Sequence, residues 1–181
     1  MKKIPVVVLG AILVILLLVG SVVKFAGPIL VSSLSNYKTY TFKQPAITIS
    51  LPVGTTVTDK FQGKNEVLFS SYLRDPKLNL RGYLQVWELG NLQAFLAASK
   101  QTSTLNYTAY TVRPVQIQRY QGYLVEWSAT FSRYYSISAK EFWLKKDSGP
   151  QVLRVSFYTD QAQFPKPLEQ IVNTIIASVK W

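Results

Sequence analysis

From Ile4 to Val23 the chain carries no charged residue; Lys2 and Lys3 precede the run and Lys24 closes it. Wound as a helix, such a run reaches roughly 30 Å, one hydrocarbon thickness, and water is a poor solvent for it. A cleaved signal peptide needs a shorter apolar core and a small-x-small exit. Val22 to Gly27 offers no such exit, and Val19-Gly20-Ser21 would cut inside the run. The expectation is an uncleaved membrane anchor over 1–24, with secretion after cleavage as the alternative. Positive charge before the span keeps the N-terminus cytoplasmic and the remainder extracytoplasmic. Gly10 and Gly20 are too far apart for a GxxxG dimer face.

The chain has 181 residues. Residues 25–40, with Gly27-Pro28 and a serine-rich stretch, read as a linker. Residues 41–181 have the length of one domain. No cysteine is present, so disulfides, thiolate sites and lipid attachment through cysteine are excluded. There is also no histidine, which removes the commonest general base and transition-metal ligand. No cofactor is expected. Setting Lys2, Lys3 and Lys24 aside leaves 17 of the 20 basic residues against 9 acidic ones, a net +8 for the outer part. That charge attracts anionic lipid or wall polymer, or simply gives a basic, soluble surface. An outward location argues against nucleic acid.

In the domain, Ile47, Ile49, Leu51 and Val53 alternate with polar residues, predicting a half-buried strand that ends at Gly54. Glu66–Leu73 and Gly82–Leu89 predict two more strands, a hairpin with a long basic tip. Asn91 as N-cap, followed by Leu92, Phe95, Leu96 and Ser99 at helical spacing, predicts a helix with a narrow apolar face. Four further strands follow, rich in β-branched and aromatic residues. Tyr107, Tyr110, Tyr120, Tyr123, Tyr134, Tyr135 and Tyr158 read as half-buried strand positions with hydroxyls at the rim. A closing helix puts Leu168, Ile171, Val172, Ile175, Ile176 and Val179 on one stripe, with Pro165 and Pro167 in its first turn. The fold expected is α+β: an antiparallel sheet of about seven strands covered by helices, an α-β-α sandwich, preceded by one transmembrane helix.

This order of elements, with ISLPVGTTV near the domain start and IIASVKW at its close, resembles the PsbP-like superfamily. That group contains the photosystem II extrinsic protein and bacterial DcrB-like envelope relatives. The resemblance implies an α-β-α sandwich and a binding or accessory role on the envelope side; it transfers no site residue.

Site candidates come from strand register. A four-residue DSGP loop sets Phe142 opposite Val155 and Leu144 opposite Leu153. A two-residue Arg133-Tyr134 turn sets Val125 opposite Phe142, and therefore Glu126 opposite Glu141, with Trp143 and Arg154 alongside. Two facing carboxylates repel unless a cation intervenes. Either Arg154 bridges both as a structural cluster, or the group Glu126, Glu141, Trp143 and Arg154 binds a polar ligand or a divalent ion. A second candidate is the β-hairpin tip, where Leu78 and Leu80 lie between Arg74, Lys77 and Arg81 as a docking finger or a plain solvated turn. The function expected is a single-pass, membrane-anchored, extracytoplasmic binding or accessory protein, not an enzyme, that docks to another envelope or membrane protein. The alternative is a carboxylate-based ligand- or ion-binding protein or hydrolase at the cell surface.

Overall fold

The computed structural model describes residues 36–62, 66–133, 135–146 and 149–181. The proposed anchor, Ile4–Val23, lies outside these residues, as does Tyr134. Among the described residues no helix is long and apolar enough to cross a membrane.

In chain order the strands and helices are β1 (Tyr37–Phe42), β2 (Ile47–Pro52), β3 (Thr56–Gln62), β4 (Val67–Asp75), β5 (Leu80–Glu88), α1 (Leu92–Thr102), β6 (Tyr107–Ile117), β7 (Tyr120–Ser132), β8 (Tyr135–Lys145), β9 (Gln151–Thr159) and α2 (Lys166–Ala177). Seven strands pair in the order β3-β4-β5-β9-β8-β7-β6, every neighbouring pair antiparallel. The last strand of the chain, β9, therefore inserts between β5 and β8 and joins the two halves of the sheet. The fold is α+β, as expected.

Its seventh strand is not the expected one. Ile47–Pro52 stays out of the sheet and pairs only with β1, while Thr56–Gln62 takes the edge beside β4. The reason is burial. Ile47, Ile49 and Leu51 are each at most 1% exposed, and β2 is tied to the end of α2 through the Thr48–Lys180 bridge and a Ser50 N–H to Ser178 Oγ bond of 2.9 Å. Its alternation is that of a covering strand.

Strand alternation gives the sheet two faces. One carries Phe69, Leu73, Leu84, Val86, Leu124, Phe142, Leu144, Leu153, Val155 and Phe157, all nearly inaccessible. Here α2 contributes Leu168, Val172, Ile175 and Ile176, and the β1–β2 hairpin joins it through an edge-on Phe42–Phe69 contact at 5.3 Å. The opposite face is only partly covered. α1 begins at the expected cap, where Asn91 Oδ1 accepts from Ala94 N at 3.0 Å. It lays Leu92 and Leu96 over Val125, Trp143 and Val152, and the remainder of that face stays open.

Candidate functional site

The residues Glu126 and Glu141 do not meet. Ser132 lies opposite Tyr135, as the expected two-residue turn requires, but Thr130 pairs with Ser136, so Phe131 is an extra residue in β7. A one-residue bulge shifts everything beyond it by one position, and in a strand one position is a change of face. Glu126 therefore pairs with Lys140, and Glu141 pairs with Val125. The β8–β9 register is the expected one, with Trp143 opposite Arg154 and Glu141 opposite Ser156.

On its own face, Glu126 is part of a surface cluster. It binds Lys140 and, at 3.3 Å, Arg113; Lys140 reaches Glu169 of α2 at 3.0 Å. Partial burial raises the Glu126 pKa, but Lys140 and Arg113 outweigh it and hold the carboxyl below its ordinary range. This cluster clamps α2 to the sheet.

Glu141, on the other face, is 6% exposed. Its Oε1 accepts from Trp127 Nε1 at 2.8 Å and from the Tyr158 hydroxyl at 3.3 Å. Its Oε2 accepts from Trp143 Nε1 at 3.2 Å and from Arg154 Nε at 3.0 Å. Arg154 lies over the Trp143 ring, 5.0 Å from its centroid, and donates to Gln85 Oε1 at 2.9 Å. Gln85 in turn accepts from Trp87 Nε1 and donates to Ser70. Desolvation works against the Arg154 charge, yet the Glu141 carboxylate keeps its pKa above the ordinary value. Burial and the same carboxylate raise that of Tyr158, so its hydroxyl stays a proton donor. Of the four expected partners, the structure brings together Glu141, Trp143 and Arg154 and excludes Glu126.

This network floors an aromatic groove that the sequence reading did not isolate. Ring neighbours run Tyr72–Tyr83 at 5.3 Å, Tyr83–Tyr158 at 6.3 Å, Tyr158–Trp127 at 5.8 Å and Trp127–Tyr107 at 5.7 Å, crossing β4, β5, β9, β7 and β6. Over the open half lies a concavity of about 570 Å³ lined by Ser70, Tyr72, Arg81, Tyr83, Trp127, Ile137 and Tyr158. A second, about 380 Å³, opens between α1 and the sheet and shares Trp127 and Tyr158 with the first. One signal was readable: Tyr72 and Tyr83 occupy the polar phase of their strands, where an aromatic ring must face outward. The shallow concavity beside Lys145 and Lys146, about 660 Å³, has no buried polar group on its lining.

The hairpin tip is tighter than expected. Only Pro76–Asn79 lie between β4 and β5, and Asp75 Oδ1 accepts from the N–H groups of Lys77 and Leu78 at 3.1 and 3.2 Å. Leu80 faces the core at 6% exposure, and Leu78 is half-buried, so the expected pair of exposed apolar anchors does not form. Arg81 pairs with Asp160 at 2.7 Å, while Arg74 and Lys77 are exposed.

Among solved structures the chain is similar to cyanobacterial PsbP (CyanoP) from Synechocystis sp. PCC 6803, with a TM-score of 0.51 and 10% identity over 86% of this chain and 98% of that one. It is also similar to a protein of Bacteroides thetaiotaomicron, with a TM-score of 0.50 and 10% identity over 80% of this chain and 48% of that one. The fold is PsbP-like. No family model matches the sequence, and no curated protein does.

Proposed function

We propose that this chain is a membrane-anchored accessory protein of the cell envelope. In this reading Ile4–Val23 spans the membrane with the N-terminus cytoplasmic, and the PsbP-like domain binds another envelope protein through the open half of its Glu141 face. The observation that carries binding over catalysis is the occupancy of Glu141. Both carboxylate oxygens already accept from fixed donors on Trp127, Trp143, Arg154 and Tyr158, and a carboxylate so held is a poor nucleophile or base. The second carboxylate that a hydrolase would require, Glu126, faces the other way. What Glu141 does instead is lock two groove walls, Trp127 and Tyr158, and a pre-ordered wall loses less entropy on binding.

Photo-crosslinking in intact membranes tests this. A crosslinker at position 83, in the groove, captures one reproducible envelope protein, and one at position 170, on the exposed side of α2, does not. Equal capture from both positions, or none from 83, overturns the reading.

A further inference from the structure

We infer that the groove accepts a proline-rich segment in polyproline II conformation, oriented by an acidic residue at one end. This rests on the accessory reading above and names the chemistry of the partner's docking segment.

Three features of the face point to this occupant. From Tyr72 through Tyr83 and Tyr158 to Trp127 the groove crosses β4, β5, β9 and β7, each of which has a sheet neighbour on both sides, so an added β-strand has no free edge to pair with over that stretch. A ligand must be held by rings and side-chain donors alone. Second, the rings are not coplanar: successive planes meet at 53°, 77° and 57° from Tyr72 through Tyr83 and Tyr158 to Trp127. A flat sugar face stacks best on a level platform. Tilted rings form ridges and shallow valleys, the surface on which PxxP segments dock. The ring centroids step across this face at 5.3, 6.3 and 5.8 Å, so the ridges recur along the groove. Third, a polyproline II backbone has no internal hydrogen bonds and presents bare carbonyls, which need donors. The Tyr72 and Tyr83 hydroxyls have no hydrogen-bond partner among the described residues, and Tyr83 is 38% exposed. Trp127 and Tyr158, by contrast, are held through Glu141 as fixed walls.

Charge sets the direction. At the β4–β5 end of the groove Arg74 pairs across the ladder with Arg81, and Lys77 is exposed beside them. The two carboxylates there are engaged, Asp160 with Arg81 and Asp75 with the turn N–H groups. Among the described residues at this end, two exposed cations remain against no unengaged anion, which selects an acidic flank.

The test uses the full chain in nanodiscs of zwitterionic lipid, followed by calorimetry and tryptophan fluorescence. The probes are a proline nonamer ended by a pair of glutamates, the same nonamer ended by lysines, a glycine–serine peptide ended by glutamates, and chitohexaose. The glutamate-ended proline peptide binds, and its lysine-ended counterpart is weaker by about tenfold. Tyr83→Ala and Arg74→Glu each weaken binding by about tenfold while circular dichroism is unchanged. Equal binding of the glycine–serine peptide reduces the effect to charge and overturns the inference; so does chitohexaose binding without peptide binding, or no binding at all. If position 83 captures an envelope protein while the proline peptide fails, this inference falls and the accessory reading stands; if both fail, both fall.

Discussion

Trp127 donates its indole N–H to Glu141 across β7 and β8 at 2.8 Å, so a single tryptophan both satisfies a buried carboxylate and walls the open groove. Glu141, Arg154 and the aromatic donors form one unit in which every charge has a partner. Such a unit is far more costly to break on one side than to remove as a whole.

The first prediction follows from that asymmetry. Glu141→Gln strands the Arg154 charge, and Arg154→Met strands the Glu141 charge; each costs about 3–5 kcal/mol in urea unfolding. The double variant costs less than either single one, because no buried charge remains and the carbonyl oxygen of the introduced amide still accepts from Trp127. A double-mutant cycle that comes out additive overturns the claim that the two act as a unit.

The Glu126 cluster behaves differently because it is partly open, with the carboxylate side chain 29% exposed. Its pKa is held below the ordinary value of 4.5 by Lys140 and Arg113. A lowered carboxyl pKa contributes stability that is complete above the unfolded value, and that stability is lost as pH falls through the folded one. Glu126→Gln therefore costs under about 1 kcal/mol at neutral pH after solvent screening and flattens the loss of stability below about pH 4.5. An unchanged acid limb in the variant contradicts this.

Two glycines sit where a side chain would collide with a neighbouring strand's backbone. A Cβ on Gly82 would lie 1.8 Å from the Ser156 carbonyl oxygen, and one on Gly122 would lie 1.8 Å from that of Trp143. Neither neighbour is a side chain that can turn aside. Gly82→Ala and Gly122→Ala each destabilise by about 3 kcal/mol or more, whereas Gly90→Ala, with open space around it, stays within about 0.5 kcal/mol. Thermal unfolding midpoints decide it, and a tolerated Gly122→Ala would show that β7 and β8 can separate locally.

Ser138 and Thr159 face each other in the β8–β9 ladder, both at most 1% exposed, and neither hydroxyl oxygen has a hydrogen-bond partner among the described residues. An unmatched buried hydroxyl costs free energy that an equal-sized apolar group does not. Thr159→Val is accordingly neutral or stabilising by up to about 1 kcal/mol. A loss of stability on that change would mean that the hydroxyl is satisfied, and the prediction fails.

Much of the architecture was legible in local pattern. The Asn91 cap, the apolar stripe from Leu168 to Ile176 and the four-strand run after α1 all appear where period and capping chemistry place them, because a helix or strand is specified by neighbours within a few residues. The β8–β9 register was legible too, since one loop sets it. The edge strand Thr56–Gln62 was not, because nothing in its short β-branched start distinguishes a sheet edge from a loop. The strand Ile47–Pro52 was readable as a strand but not as one that stays outside the sheet.

By itself, then, the sequence determined the two helices with their apolar stripes, the strands β2, β4, β5 and the four after α1 in their order, and the chemistry withheld by having neither cysteine nor histidine; β1 and β3 were not among them. The tertiary structure alone decided which side chains meet. One inserted residue, Phe131, turns Glu126 to one face and leaves Glu141 on the other with Trp127, Arg154 and Tyr158. A strand has a period of two, so a slip of one residue exchanges its faces completely. That slip appears only in the pairing of β7 with β8, a contact between residues distant from Glu126 and Glu141, and the local pattern of hydrophobic and polar residues did not mark it.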